Sequence, residues 1–239
     1  PVITEQTFFD QNKDNDNYIG FPWATLHDSF CTTVGRDSAF NMAYQLIHPQ
    51  IKPGQISYTC CQHISFRKFI PLWERLNIRV VYASHKQLGE NKIGNVVFKP
   101  CPLFAVNIES RVKNKVFLDV DFMNCERKYL YSFMGGYQPR DYMSFIRSDI
   151  YKIKHPDNTF IKNTGIWHFN DVVFHEKQSA DGELNMTDKH VNNTDTYNSV
   201  LLDSRYSLCP SGSGPNSIRF WESLAIGSIP ILLSDHLEL

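Results

Sequence analysis

Residues 207–235 read SLCPSGSGPNSIRFWESLAIGSIPILLSD: an apolar run, a turn with two glycines, an amphipathic stretch and a second apolar run. In a strand–turn–helix unit such a turn lies at the carboxyl end of a strand, where an open parallel sheet leaves a crevice. The next helix aims its unpaired N–H groups into that crevice. This geometry suits a phosphate. Gly212 and Gly214 allow close backbone approach, Ser211, Ser213 and Ser217 offer hydroxyls, and Asn216 or Ser217 can cap the helix. Arg219 adds a cation, and Glu222, three residues on, shares its helix face. A carboxylate one turn below a phosphate is placed for sugar hydroxyls, so a nucleoside diphosphate fits both residues. The same spacing also fits a surface ion pair between Arg219 and Glu222.

Two common phosphate-binding patterns are excluded. G-x-x-x-x-G-K-[ST] needs a lysine that is absent here, and G-x-G-x-x-G fails because Ser217 stands at the third glycine. ATPase and dinucleotide chemistry are disfavoured.

The elements that must carry this turn follow from periodicity. Residues 1–22 are polar with scattered aromatics and read as an irregular opening segment. "WATLHDSF" and "DSAFNMAYQLIH" have helical spacing, and Pro49, Pro53 and Gly54 end that region. "QISYTCCQHI", "SFRKFIPLWERLN", "IRVVYASH" and "NVVFKPCPLF" give strand, helix, strand and strand, the rhythm of a parallel sheet. Residues 105–128 are charged around "VFLDVDF" and mark the crossing to a second domain, with the boundary at 126/127. "KYLYSFMGGY" restarts the pattern as a strand ending in Gly135-Gly136, and "RDYMSFIRSDIYKI" follows as a helix carrying Arg140 and Arg147. "TGIWHFNDVVFHE" reads as a strand region, 176–195 as a loop, and "TYNSVLLDSR" as a helix before the glycine turn.

Composition bounds the function classes. The 239 residues carry 24 Lys+Arg against 25 Asp+Glu, a formal net charge of −1, so nothing marks the chain as a tracker of nucleic acid or anionic lipid. No run approaches the roughly eighteen apolar residues a spanning helix needs. The six cysteines have neither C-x-x-C spacing nor scaffold density, and read as small buried thiols of a reducing compartment, which favours the cytoplasm. The chain begins at Pro1, so a preceding segment, including an anchor, is compatible with it.

"RYSLCPSGSGPNSIRFWESLAIGSIPILLSD" resembles the hallmark segment of exostosin-like glycosyltransferases (glycosyltransferase family 47): a strand and glycine-rich turn lead into an Arg-x-x-Glu helix and a strand ending in Ser-Asp. "KYLYSFMGGYQPR" is similar to the strand and loop that open the family's nucleotide-sugar domain, and "YTCCQHISFRKF" and "VYASH" to its acceptor-domain segments. The resemblance spans roughly three quarters of the chain and is most specific over 206–235.

The resemblance implies an α/β GT-B fold, two Rossmann-like domains facing a central cleft, here an acceptor domain over 1–126 and a nucleotide-sugar domain over 127–239. It implies an inverting transferase that moves a sugar from a UDP-sugar to a hydroxyl of a glycan acceptor, with no cofactor and no metal. Small members, including ones of large algal viruses, make xylose the first expectation. It carries Gly212, Ser217, Arg219 and Glu222 onto the donor site, with Arg219 near the pyrophosphate and Glu222 near the ribose. Arg140 matches the family's basic position, and Arg147 competes with it. Relatives usually continue beyond "DHLEL", so a segment closing over the donor is expected past Leu239.

Inversion needs a base that takes a proton from the acceptor hydroxyl. Asp28 is the first candidate, in an apolar and aromatic setting expected to raise a carboxylate pKa, although a helix cap fits it as well. His63 is the second and Asp37 the third. Trp23 and His85 are expected to touch the acceptor, whereas Trp73 and Trp221 sit on apolar helix faces and read as core. Two other classes stay open: a catalytically silent glycan- or nucleotide-binding module, and a metal-dependent GT-A transferase holding a divalent cation on Asp119 and Asp121 of a D-x-D.

Overall fold

Apolar runs rich in β-branched and aromatic residues, several followed by helical spacing, form two sheets of mainly parallel strands in the computed structural model. The structure describes residues 3–31, 33–111, 114–165 and 188–239. They fall into two α/β units. One runs to Phe104 and takes back Asp235–Leu239; the other spans Ala105–Ser234.

The first unit contains α1 (Ile3–Asn12), α2 (Trp23–Thr25) continuing as a π-helix (Leu26–Cys31), α3 (Arg36–Ile47), β1 (Ser57–Cys61), α4 (Ile70–Arg75), β2 (Ile78–Ala83), β3 (Lys92–Ile93) and β4 (Val96–Pro100). The strand order is β1-β2-β4-β3, with β1, β2 and β4 parallel and the two-residue β3 antiparallel to β4. Alternate residues Cys61, Val81, Ala83 and Phe98 face a core built from Trp23, Phe66, Phe69, Leu72 and Trp73. Each such large side chain contributes about 1.5–3 kcal/mol on burial. The opening segment is helical over Ile3–Asn12, not irregular as its polarity predicted, while residues 13–22 are turns and coil as expected. Phe8 of α1 packs on Tyr18 and Tyr82, and the side chain of Gln62 accepts from the backbone N–H groups of Thr4 and Glu5. A helix held by two aromatic contacts and a foreign amide needs no apolar stripe.

The second unit contains β5 (Tyr129–Gly135), α5 (Ile146–Lys152), β6 (Phe160–Asn163), α6 (Asp188–Leu202), β7 (Ser204–Pro210), α7 (Ile218–Ala225) and β8 (Ile229–Leu233). Its order is β6-β5-β7-β8, parallel throughout. The chain leaves β5 to one side for β6 and returns on the other for β7, so the carboxyl ends of β5 and β7 flank a topological switch point, where open sheets bind ligands.

The division at 104/105 differs from the expected 126/127. Phe117 packs with Leu201 and Ile226, and the Arg127 guanidinium donates to the carbonyls of Phe122, Leu202, Ser204 and Ile226. Residues 105–128 thus belong to the second unit, which Arg127 buttresses. α6 starts at Asp188, inside the stretch expected to be loop, and α5 is shorter than the predicted 140–153. Most of the strand region expected at 164–176, with Trp167, lies outside the described residues. No described helix is long and apolar enough to cross a membrane.

Candidate functional site

In the second unit two guanidiniums converge on the switch point. Arg147, on the first turn of α5, donates from Nε to the Ser211 carbonyl at 2.9 Å and from Nη1 to the Gly136 carbonyl at 2.8 Å. Arg219, on the first turn of α7, donates from Nη2 to the Met134 carbonyl. Aromatic rings back both cations: Arg147 Cζ is 4.5 Å from the Tyr142 ring centroid, and Arg219 Cζ is 4.8 Å and 4.9 Å from those of Phe133 and Tyr197. Glycine leaves room for them. A Cβ on Gly135 would lie 3.2 Å from Arg219 Nη2, and one on Gly212 3.3 Å from Arg147 Nη2. Among the described residues neither arginine has a carboxylate within ion-pair distance. Burial, with the Arg219 charge as a further cause, pushes Arg147 down to about 10, which leaves it cationic at neutral pH.

The rest of the turn sorts by burial. Ser211 is buried, with its Oγ 3.0 Å from that of Ser144, and Gly212 and Gly214 close on each other through Gly212 N–H to Gly214 O at 3.0 Å. Ser213 is exposed. Ser217 occupies the N-cap position of α7 with the extended backbone usual there but without a side-chain bond to the helix, and its carbonyl accepts from Phe220 N–H. Buried Asn216 instead accepts from Trp221 Nε1 at 2.9 Å.

Several expectations are corrected. Arg140 is exposed and takes no part in the cluster; Arg147 does, because α5 begins late enough to aim it at β7. Glu222 is 4 % exposed and neither pairs with Arg219 at the surface nor faces outward for a ribose. The Tyr197 hydroxyl from α6 donates to its Oε2 at 2.6 Å, and burial raises its pKa against that bond and the Arg219 charge. Asp119 and Asp121 are exposed, and Asp121 accepts from Met123 N–H at 3.0 Å and Asn124 Nδ2 at 2.7 Å, the pattern of an Asx turn. Those bonds lower the Asp121 pKa and tie its carboxylate into the local turn.

In the first unit the fold joins the two leading base candidates. Asp28 lies on the π-helix and His63 just beyond the carboxyl end of β1, and His63 Nε2 is 3.0 Å from Asp28 Oδ1. His27, unremarked in the sequence, puts Nδ1 3.2 Å from the same oxygen, and the two imidazole centroids are 4.2 Å apart. Single π-turns recur at functional sites because they re-aim side chains out of helical register. The Asp28 side chain stays 59 % exposed. Its pKa is lowered, not raised as its apolar neighbours predicted: burial pushes it up, but the hydrogen bonds and charges of His63 and His27 outweigh that. Asp37 is exposed and sits beside Arg36 at 3.2 Å. Lys68, Gly35, Arg36, Asp37 and Ser38 line an open cavity of about 420 Å³.

Trp23 is corrected outright. It has no exposed surface, its indole N–H donates to Thr59 Oγ1 at 2.8 Å, and it meets Trp73 edge-on at 5.6 Å, so it cannot stack on an acceptor sugar. His85 is likewise internal, 7 % exposed, with an unpartnered Nδ1 and a pKa pushed down to about 3 by burial.

A family model described as the exostosin GT47 domain matches residues 95–239, more than half of the chain, including β5 to β8 and both switch-point arginines. The chain belongs to this exostosin family. A curated relative, the Exostosin-1 homolog of Caenorhabditis elegans, is 27 % identical over 148 residues, 62 % of this chain and 37 % of that protein. The chain thus spans little more than a third of that relative's length.

In this exostosin chain, ligand atoms of His27, Asp28 and His63 lie within 4.8 Å of one another, close enough for a metal ion. Their outer bonds fit that poorly. A metal-bound imidazole donates its other N–H outward, whereas His63 Nδ1 faces the Ser65 N–H at 3.0 Å and His27 Nε2 faces the Lys68 ammonium at 3.3 Å, both donors. Sequence reasoning missed His27, Lys68, Tyr142 and Tyr197. Only the adjacency of His27 to Asp28 was a signal, since the other three come from separate elements.

Proposed function

We propose that this exostosin-family chain is a GT-B glycosyltransferase that moves a sugar from a UDP-sugar, xylose first, to a hydroxyl of a glycan acceptor with inversion and without a metal ion. In this reading the second unit holds the donor and the first supplies the base. The observation that carries it is the pair Arg147 and Arg219: two cations without carboxylate partners among the described residues, at the carboxyl edge of β5 and β7. Positive charge at a switch point, on a partly exposed Arg147 and a buried Arg219, is complementary to a diphosphate. UDP, xylose and inversion rest on the family resemblance.

In the proposed reaction the acceptor hydroxyl gives its proton to the Asp28 carboxylate as its oxygen attacks the anomeric carbon. The bond from that carbon to the diphosphate breaks on the opposite face, and its electron pair leaves with UDP. Arg147, Arg219 and the N-terminus of α7 offset the growing charge, the part a cation plays elsewhere. The cavity beside Lys68 is the place assigned to the acceptor.

Titration with UDP, GDP and ADP, with and without Mg²⁺, tests the donor site. Selective UDP binding without metal is expected, weakened by about 1.5–3 kcal/mol in Arg219→Ala, the range of a charge-assisted hydrogen bond. Unchanged UDP affinity in a folded variant would remove Arg219 from the site. Asp28→Asn should keep UDP binding and lose roughly 10²–10⁴-fold in turnover, the contribution of a general base. UDP binding without turnover under any UDP-sugar would instead support the silent binding module.

A further inference from the structure

The bonds around Asp28 fix more than its position. An ammonium and a backbone N–H are donors only, so His27 Nε2, 3.3 Å from Lys68 Nζ, must accept, and so must His63 Nδ1, 3.0 Å from the Ser65 nitrogen. The proton of neutral His27 therefore sits on Nδ1 and that of His63 on Nε2. These are the nitrogens 3.2 Å and 3.0 Å from Asp28 Oδ1. Two imidazoles in opposite tautomers thus donate to one carboxylate oxygen.

We propose that His27, Lys68 and His63 are positioning residues for Asp28: Lys68 and the Ser65 N–H lock the two tautomers, and the converging N–H groups hold the carboxylate ionised and oriented toward an acceptor hydroxyl. The inference rests on the assignment of Asp28 as base and adds the machinery that sets its geometry. A second proton on His27 would have to go on the nitrogen that faces the Lys68 ammonium, so that ring resists becoming cationic. The titratable and charged groups around Asp28 are His27 and Cys31 of its own π-helix and His63 and Lys68 after β1, with Arg36 at the start of α3 acting on Cys31. Burial, together with the Lys68 charge, holds His27 below the ordinary imidazole range against the pull of Asp28, which agrees with a neutral donor.

The test reads the resting 239-residue chain first. Imidazole ¹⁵N shifts at neutral pH should give His27 as the Nδ1–H form and His63 as the Nε2–H form, and a ¹³C carboxyl titration should place Asp28 below the usual carboxylate range. Lys68→Met keeps the bulk of the side chain and removes the lock. His27 should then shift toward Nε2–H, and the Asp28 titration should rise by up to about one pH unit, the size of a lost hydrogen-bond donor. The acid limb of kcat/KM should rise by the same amount, while UDP affinity stays unchanged. A proton on His27 Nε2 in the wild type, or an Asp28 titration unmoved by Lys68→Met, would overturn the clamp. Correct tautomers together with a fully active Asp28→Asn variant would overturn Asp28 as base and leave the hydrogen-bond arrangement standing, so the two failures are distinguishable.

Discussion

Arg147 and Arg219 grip the end of one strand from two helices: Arg219 donates to the carbonyl of Met134 and Arg147 to that of Gly136, and Gly135 lies between them. Burial of the Arg147 guanidinium, with the nearby Arg219 charge as a lesser cause, holds its pKa below the ordinary range. Strand-end carbonyls and aromatic faces offset part of that cost, and an arriving diphosphate is expected to offset the remainder.

Gly135→Ala tests the spacing. The new methyl would sit 3.2 Å from Arg219 Nη2 and 3.2 Å from Phe133 Cζ, both tighter than ordinary contact. Overpacking of this kind costs about 1–3 kcal/mol. Melting and UDP titration together should show a modest loss of stability and a larger fractional loss of UDP affinity. Unaltered UDP affinity would mean that the arginines need not hold this separation.

Arg140 and Arg147 can be separated by one comparison. Arg147→Ala should weaken UDP binding by about 1.5–3 kcal/mol, whereas Arg140→Ala should leave it within error. Calorimetry with both variants decides, and the reverse order would restore Arg140 to the site.

Two buried groups of the first unit give opposing pH dependences. Burial raises Glu5 from 4.5 to about 7, against hydrogen bonds from the backbone of Gln62 and Ala24. Its stabilisation is complete below pH 4.5 and is lost as pH rises toward 7. His85 is depressed from 6.5 to about 3, so its stabilisation is complete above pH 6.5 and is lost as pH falls toward 3. Between pH 4.5 and 6.5 the slopes, each about 1.4 kcal/mol per pH unit, cancel. The contributions of these two groups to urea unfolding should therefore offset each other in that window, and paired variants separate them. Glu5→Gln should lose stability toward acid, and His85→Phe toward neutral pH. Equal slopes in the two variants would contradict the assignment.

Metal independence has its own check. Turnover should be indifferent to a chelator, and Asp121→Ala should cost at most the local turn, because that carboxylate is already bonded to Met123 N–H and Asn124. Activity abolished by chelator and restored by Mn²⁺ or Mg²⁺ would reverse this reading.

The sequence by itself determined the parts with local causes. Alternation and turn residues gave parallel strands in two α/β halves; Gly212, Gly214 and the amphipathic run after them gave the strand–turn–helix that carries Arg219. Asp28 and His63 were legible as separate residue types, 35 positions apart in the chain. Only the tertiary structure decided their partnership, because a π-turn re-aims Asp28 and the end of β1 delivers His63. It also chose Arg147 over Arg140, withdrew Glu222 and Trp23 into the interior, and assigned residues 105–128 to the second unit through Arg127. In each case the deciding term is burial or a hydrogen bond between distant elements, and neither leaves a period in the sequence.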